Sequence, residues 1–210
     1  MTNYDNRKLQ EQCPYTLMII DCHILLRSVI AAYLNETRRF KVVAEFATTA
    51  EAKNYFKNDK IAAPDVILIN MNKDVEHTVE FIKWLKIKTN HILVYSDYTS
   101  CTHVNAAVAA GARGFLGNNE NLETLCAMLN LIAKGQSQFS QTALEKMTAQ
   151  NELRGILTTR EFEIFKLVQQ LYPNCLIADE LQLSAHTIEN YMSSLYAKTK
   201  CETREDLQSL

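Results

Sequence analysis

The chain has 210 residues, 47% hydrophobic and 22% charged, the composition of one or two ordinary soluble globular domains. It has no run of about 18 apolar residues, and its opening MTNYDNRKLQEQCPY lacks an apolar signal core, so neither a membrane span nor export is expected and the cytoplasm is the predicted location. The net charge of −2 is uneven: residues 1–150 hold 16 basic and 15 acidic residues and residues 151–210 hold 6 and 9, so any nucleic-acid contact by the tail must work against an acidic balance.

In chain order, the first half alternates short apolar runs with helix-like patterns. Strands are predicted at Tyr15–Ile20, Phe40–Phe46, Val66–Ile69, His91–Tyr95 and, more briefly, Gly114–Leu116. Apolar runs without polar alternation suit strands covered on both faces, as in a parallel sheet. Between them, helices are predicted over 25–34, 49–57 with Thr48 or Thr49 as N-cap, 79–85, 104–110 stopping at Gly111, and 122–132. Five β/α units imply a doubly wound α/β sheet, a five-stranded parallel, flavodoxin-like architecture over residues 15–133. Function in such sheets gathers at the carboxyl ends of the strands, where Asp21, Asn70 and Ser96 fall.

Residues 134–153 are polar and weakly periodic, a linker with room for one helix near 141–149. From 154 to 210 the pattern is all-α. Thr159 is the expected cap of a helix that buries Ile164, Phe165, Val168 and Leu171, and Pro173 stops it. A short helix at Leu176–Leu181 follows, and Ser184 caps a longer one over 185–200 with Ile188, Met192 and Leu195 on one face. Helix, turn and capped second helix is the layout of a helix-turn-helix module. Residues 203–210 add a last short helix.

Six cysteines, at 13, 22, 101, 126, 175 and 201, form no CxxC pair and are expected as reduced thiols. Cys101-Thr102-His103 lacks further ligands nearby in sequence and reads as the start of a helix. No nucleophile–base pair, Gly-rich phosphate loop or metal cluster is visible, so an enzyme is not expected.

Two stretches carry a family resemblance. Leu17-Met-Ile-Ile-Asp-Cys-His-Ile-Leu-Leu-Arg27 and Gly111-Ala-Arg-Gly-Phe-Leu116 resemble the first and last strands of response-regulator receiver domains. Leu157-Thr-Thr-Arg-Glu-Phe-Glu-Ile-Phe-Lys-Leu-Val168, followed by Ser184-Ala-His-Thr-Ile-Glu-Asn-Tyr191 and on to Lys198, resembles the LuxR-type helix-turn-helix. The order of the two matches the NarL/FixJ family. The resemblance implies a DNA-binding transcriptional regulator of a two-component system, with a phosphorylatable receiver that needs an aspartate acceptor, Mg²⁺ held by carboxylates, a lysine and a hydroxyl.

On that template the acceptor position falls on Asn70, whose amide cannot form an acyl phosphate. The acidic pair falls on Asp21 and Cys22, and a thiol is a poor Mg²⁺ ligand. The lysine position falls on Asn118. Ser96 keeps the hydroxyl and Phe115 keeps the aromatic ring without its phenolic oxygen. The pocket is therefore read as degenerate, with weak or absent Mg²⁺ binding, no cofactor and no phosphorelay control. Asp21 is read as a leftover carboxylate and Cys22 as an inert thiol.

The outward face of the 185–200 helix carries His186, Thr187, Glu189, Asn190 and Ser193, the expected base-reading group. Lys198, Lys200 and Arg204 are the expected phosphate contacts, and Arg160 is read as a candidate that is also free to bond within its own domain. DNA half-sites and a homodimer paired through 205–210 are the implied partners. The alternative is a protein-interaction module that binds a kinase or another regulator at the receiver and does not read DNA.

Overall fold

A computed structural model describes residues 14–57, 62–72, 75–117 and 119–210. Among these, β1 (Tyr15–Ile20), β2 (Phe40–Phe46), β3 (Val66–Asn70), β4 (Ile92–Ser96), β5 (Gly114–Gly117) and β6 (Gln138–Phe139) form one sheet in the order β2-β1-β3-β4-β5-β6. All neighbouring strands are parallel. Helices α1 (Ile24–Glu36) and α5 (Leu122–Ala133) cover one face. Helices α2 (Thr49–Tyr55), α3 (Val75–Leu85) and α4 (Cys101–Ala110) cover the other.

The apolar runs are explained by this double cover. Successive side chains of a strand point to opposite faces. Leu17 and Ile19 pack towards α1 and α5, whereas Met18 and Ile20 pack towards α2 and α3; Val66 and Leu68 divide from Ile67 and Ile69 in the same way. Each fully buried side chain of this size contributes about 1.5–3 kcal/mol relative to exposure.

The expected count of five strands is corrected to six. β6 escaped the pattern because it has two half-buried residues, Gln138 and Phe139, and so no apolar run. Gly114 makes room for it, since a Cβ there would stand 2.4 Å from the carbonyl oxygen of Gln138. α4 begins at Cys101, earlier than expected, with the Ser100 side chain accepting from His103 N. Cys101, Thr102 and His103 are thus its first turn, and burial pushes the Cys101 thiol pKa up.

The stretch 134–153 holds β6 and most of α6 (Gln141–Ile156), which extends beyond the expected 141–149. Near its start, Ala143 and Met147 join the core beneath the sheet; near its end, Leu153 joins the core of the C-terminal helices. Those helices are α7 (Thr159–Gln169), α8 (Asn174–Leu181), α9 (Ala185–Thr199) and α10 (Arg204–Ser209). The cap of α7 is Thr158 and not the expected Thr159, because Glu161 lies three residues on and closes a reciprocal box with it. Gln182 ends α8 at φ 54°, a left-handed conformation that turns the chain sharply before Ser184 caps α9.

The two halves also meet at the start of α4. Cys101 N donates to the Leu210 carbonyl at 3.2 Å, and Thr102 N donates to Gln169 Oε1 at 3.2 Å. The Thr102 hydroxyl donates to the same oxygen, and Gln169 Nε2 reaches the Leu207 carbonyl at 3.5 Å. Donors that a helix leaves unpaired at its N-terminus are here satisfied by the C-terminal helices. Among the described residues no helix is long and apolar enough to cross a membrane.

Candidate functional site

Two places were singled out by the sequence. The first is the crevice at the carboxyl ends of β1, β3 and β4. Asp21 leaves β1 with its side chain fully buried. Its Oδ1 accepts from His23 N at 2.8 Å and lies 2.9 Å from His23 Nδ1, while Oδ2 accepts the hydroxyl of Tyr95. Arg27 donates to the Asp21 carbonyl and lies 3.5 Å from Glu45.

Tyr95 is the residue that sequence reasoning missed. It sits 74 positions from Asp21 and looked like one more apolar strand residue. Burial first, then the bond to Asp21, push its phenol far above the ordinary value, so it stays protonated and remains a donor. Among the described residues, the carboxylate is thereby held by the Tyr95 phenol, the His23 amide and the His23 imidazole.

Cys22 is exposed, with its sulfur 3.8 Å from His23 Nδ1. Asn70 ends β3 and, with Cys22 and Asn72, lines both cavities that open on this crevice. Ser96 is buried; its hydroxyl donates to the Met71 carbonyl and accepts from Tyr98 N at 2.9 Å. Phe115 is fully buried in the core on the α4 side. Asn118 lies outside the described residues. The structure thus brings Asp21, Cys22 and Asn70 together, but commits the Ser96 hydroxyl to the backbone and Phe115 to packing.

A receiver fold implies Mg²⁺ at this crevice. The ion demands octahedral oxygen ligands. Asp21, with both oxygens hydrogen-bonded, is grouped with the Cys22 thiol and the His23 imidazole, while the amides of Asn70 and Asn72 and the carboxylate of Asp97 line the wider crevice. This set does not fit Mg²⁺.

The second place is the outer face of α9. Ile188, Met192 and Leu195 are buried and fix the helix on the domain core. His186, Glu189, Asn190 and Ser193 are exposed, and Thr187 is half-buried. Among the described residues, these side chains keep their exposure with the receiver half in place. Glu189 lies 3.8 Å from His186 Nδ1, the Ser193 hydroxyl donates to the Glu189 carbonyl at 3.0 Å, and Thr187 Oγ1 is 2.7 Å from Ser184 Oγ.

The basic residues are less free than the sequence implied. Lys198 Nζ stands 2.6 Å from Glu161 Oε2, and Ser194 donates to the other oxygen of Glu161 at 2.6 Å. Burial alone would raise the Glu161 pKa; the bonds from Lys198, Ser194 and Thr158 outweigh it and hold the carboxyl at about 2. Arg204 bonds Asn174 Oδ1 at 2.8 Å and the Tyr172 carbonyl. Arg160 bonds Glu163 and the Leu181 carbonyl, both at 2.9 Å. Lys200 is exposed at the end of α9.

Comparison with known proteins matches both halves. The response regulator receiver domain matches residues 17–130, more than half of the chain, and the luxR family of bacterial regulatory proteins matches residues 155–210. The nitrate/nitrite response regulator NarL of Escherichia coli (strain K12) is 25% identical over 210 residues, covering 93% of this chain and 94% of its own. The response regulator VraR of Staphylococcus aureus (strain NCTC 8325) is 27% identical over 197 residues, covering 90% and 91%. A structure of two RcsB dimers bound to two parallel DNAs superposes with a TM-score of 0.65 at 19% identity, over 93% of this chain and 96% of that one. The response regulator ChrA of a heme-sensing two-component system superposes at 0.55 and 20% identity, over 94% and 96%. The chain belongs to the response regulator receiver family and carries a luxR-family regulatory domain behind its receiver.

Proposed function

We propose that this protein is a cytoplasmic DNA-binding transcription regulator that works without aspartyl phosphorylation, with a receiver at 15–133, a connecting segment at 134–153 and a DNA-reading domain at 154–210. The observation that carries the reading is the open outer face of α9 on a luxR-family domain, joined to a receiver whose third strand ends in Asn70. Helices of this kind read base edges in the major groove. Glu189 suits the cytosine N4 amine and Asn190 suits adenine. Lys200, with Lys198 once it leaves Glu161, supplies phosphate contact. Dimeric pairing on promoter half-sites is part of the reading, and the relative RcsB, solved as DNA-bound dimers, supports it.

The receiver serves in this reading as a surface for a partner, because Asn70 gives a kinase nothing to phosphorylate. Incubation with acetyl phosphate and Mg²⁺, read by intact mass, returns an unmodified chain. A phosphoryl adduct on the native protein overturns the loss of phosphorylation.

DNA binding is tested by selection from genomic fragments followed by mobility shift at low salt. Saturable, sequence-dependent binding is expected, weakened by Asn190→Ala and Lys200→Ala and falling steeply with salt. One observation favours a second reading: Lys198, Arg204 and Arg160 are all bonded within their own domain. No shift at low salt, with a single partner recovered by pull-down on the receiver, would establish a protein-interaction module instead.

A further inference from the structure

The substitutions that remove Mg²⁺ leave donors of another character. We propose that Asp21, Cys22 and His23 form a chelating site for a borderline-soft divalent cation of the zinc type. Asp21 Oδ1, Cys22 Sγ and His23 Nδ1 lie within 4.8 Å of one another. The imidazole nitrogen is 2.9 Å from the carboxylate oxygen and 3.8 Å from the sulfur. With metal–ligand distances of about 2.0–2.3 Å, tetrahedral ligand atoms stand roughly 3.2–3.8 Å apart, so small adjustments bring all three onto one ion. Thiolate, imidazole and carboxylate together suit zinc, cobalt or copper ions and not magnesium.

The surroundings hold the donors for this task. Asp21 is buried and cannot swing away, because Tyr95 holds Oδ2 and the His23 amide holds Oδ1. A ligating carboxylate anchored through its second oxygen by a hydrogen-bond donor is the usual outer shell of a metal site. His23 stands at the N-cap of α1, yet its side chain makes no capping bond and instead faces the Asp21 carboxylate and the Cys22 sulfur. Cys22 is exposed, and both cavities of the crevice open on it, which gives an ion its path and leaves a fourth position for water.

Binding is proton exchange without redox change. The ion takes the place of the hydrogen bond between His23 Nδ1 and Asp21 Oδ1, the neutral imidazole keeping its one proton at Nε2, and it displaces the Cys22 thiol proton to solvent. The site does not depend on DNA binding, so the two readings stand or fall separately.

The test is a Co²⁺ titration of tag-free, full-length, reduced protein. One equivalent is expected to give a thiolate-to-cobalt charge-transfer band, bleached by equimolar Zn²⁺ and indifferent to a large excess of Mg²⁺. Cys22→Ser abolishes the band, His23→Ala weakens binding at least about tenfold, and Tyr95→Phe weakens it about tenfold to a hundredfold. Cys175→Ser, at another exposed thiol, leaves the band intact. Circular dichroism confirms that each variant is folded. Absence of a thiolate band at one equivalent, or a band that survives Cys22→Ser or is lost with Cys175→Ser, overturns the proposal.

Discussion

The receiver half and the helix-turn-helix half both keep a family scaffold, but they treat buried charge in opposite ways. In the receiver crevice the buried carboxylate of Asp21 is held by a phenol, a backbone amide and an imidazole. In the C-terminal half a carboxylate, Glu161, is held by an ammonium group, two hydroxyls and a backbone amide. Among the described residues, no ammonium or guanidinium group bonds the first carboxylate. The second uses up a cation that a phosphate contact would need. What the pair teaches is that fold rests on the apolar pattern, whereas capability rests on a few polar atoms whose partners are far away in sequence.

The largest expected effect comes from His103, beside the cavity between the two halves. Its ring is buried at the start of α4, stacked on Tyr98, with Nδ1 2.7 Å from Ser100 Oγ and Nε2 without a partner. Asp97, Tyr98, Lys146 and Gln169 line the same interdomain cavity. Burial lowers its pKa to about 4. The unfolded ring protonates near 6.5, so the contribution is whole above that pH and is lost as pH falls towards about 4. At 1.36 kcal/mol per unit, roughly 3 kcal/mol disappears across that window. Thermal melts between pH 7 and 4 check this, and His103→Gln should flatten the slope.

Next is Glu161→Ala. It removes half of a capping box and the partner of Lys198 and Ser194, at a cost of about 2–3 kcal/mol in urea unfolding. It also frees Lys198, so DNA affinity per folded molecule should rise, which sharpens the claim that the cation is withheld. The acid limb has its own sign: the Glu161 carboxyl sits at about 2, so its contribution is complete above the unfolded value of about 4.3 and fades below it. Tyr95→Phe leaves Asp21 Oδ2 buried without its donor and costs about 1–2 kcal/mol in the receiver half, read by the same denaturation. The smallest effect is a gain: Gln182→Gly relieves a left-handed turn at φ 54° and raises stability by about 0.5–1 kcal/mol.

Most strands and helices were legible because their signals are local. The apolar runs at 15–20 and 66–69, and the caps at Thr48, Ser184 and Gly111, state themselves within a few residues. β6 was not legible because a two-residue strand has no period and exists only through Gly114. α6 looked like a linker because its few buried residues are divided between two cores. At the crevice, Asp21, Cys22 and Asn70 were readable from strand ends, but Tyr95 was not, since its meaning lies in one hydroxyl that reaches across β3. The engagement of Lys198 was equally hidden, because Glu161 is 37 positions away.

The most direct test is the affinity of purified, unphosphorylated full-length protein for a genomically selected DNA site, by fluorescence anisotropy, with and without prior treatment by acetyl phosphate and Mg²⁺. Sequence-dependent binding that is the same in both arms, and lost with Asn190→Ala, is the predicted result. A several-fold gain after treatment, or no specific binding at low salt in either arm, contradicts a regulator that reads DNA without phosphorylation.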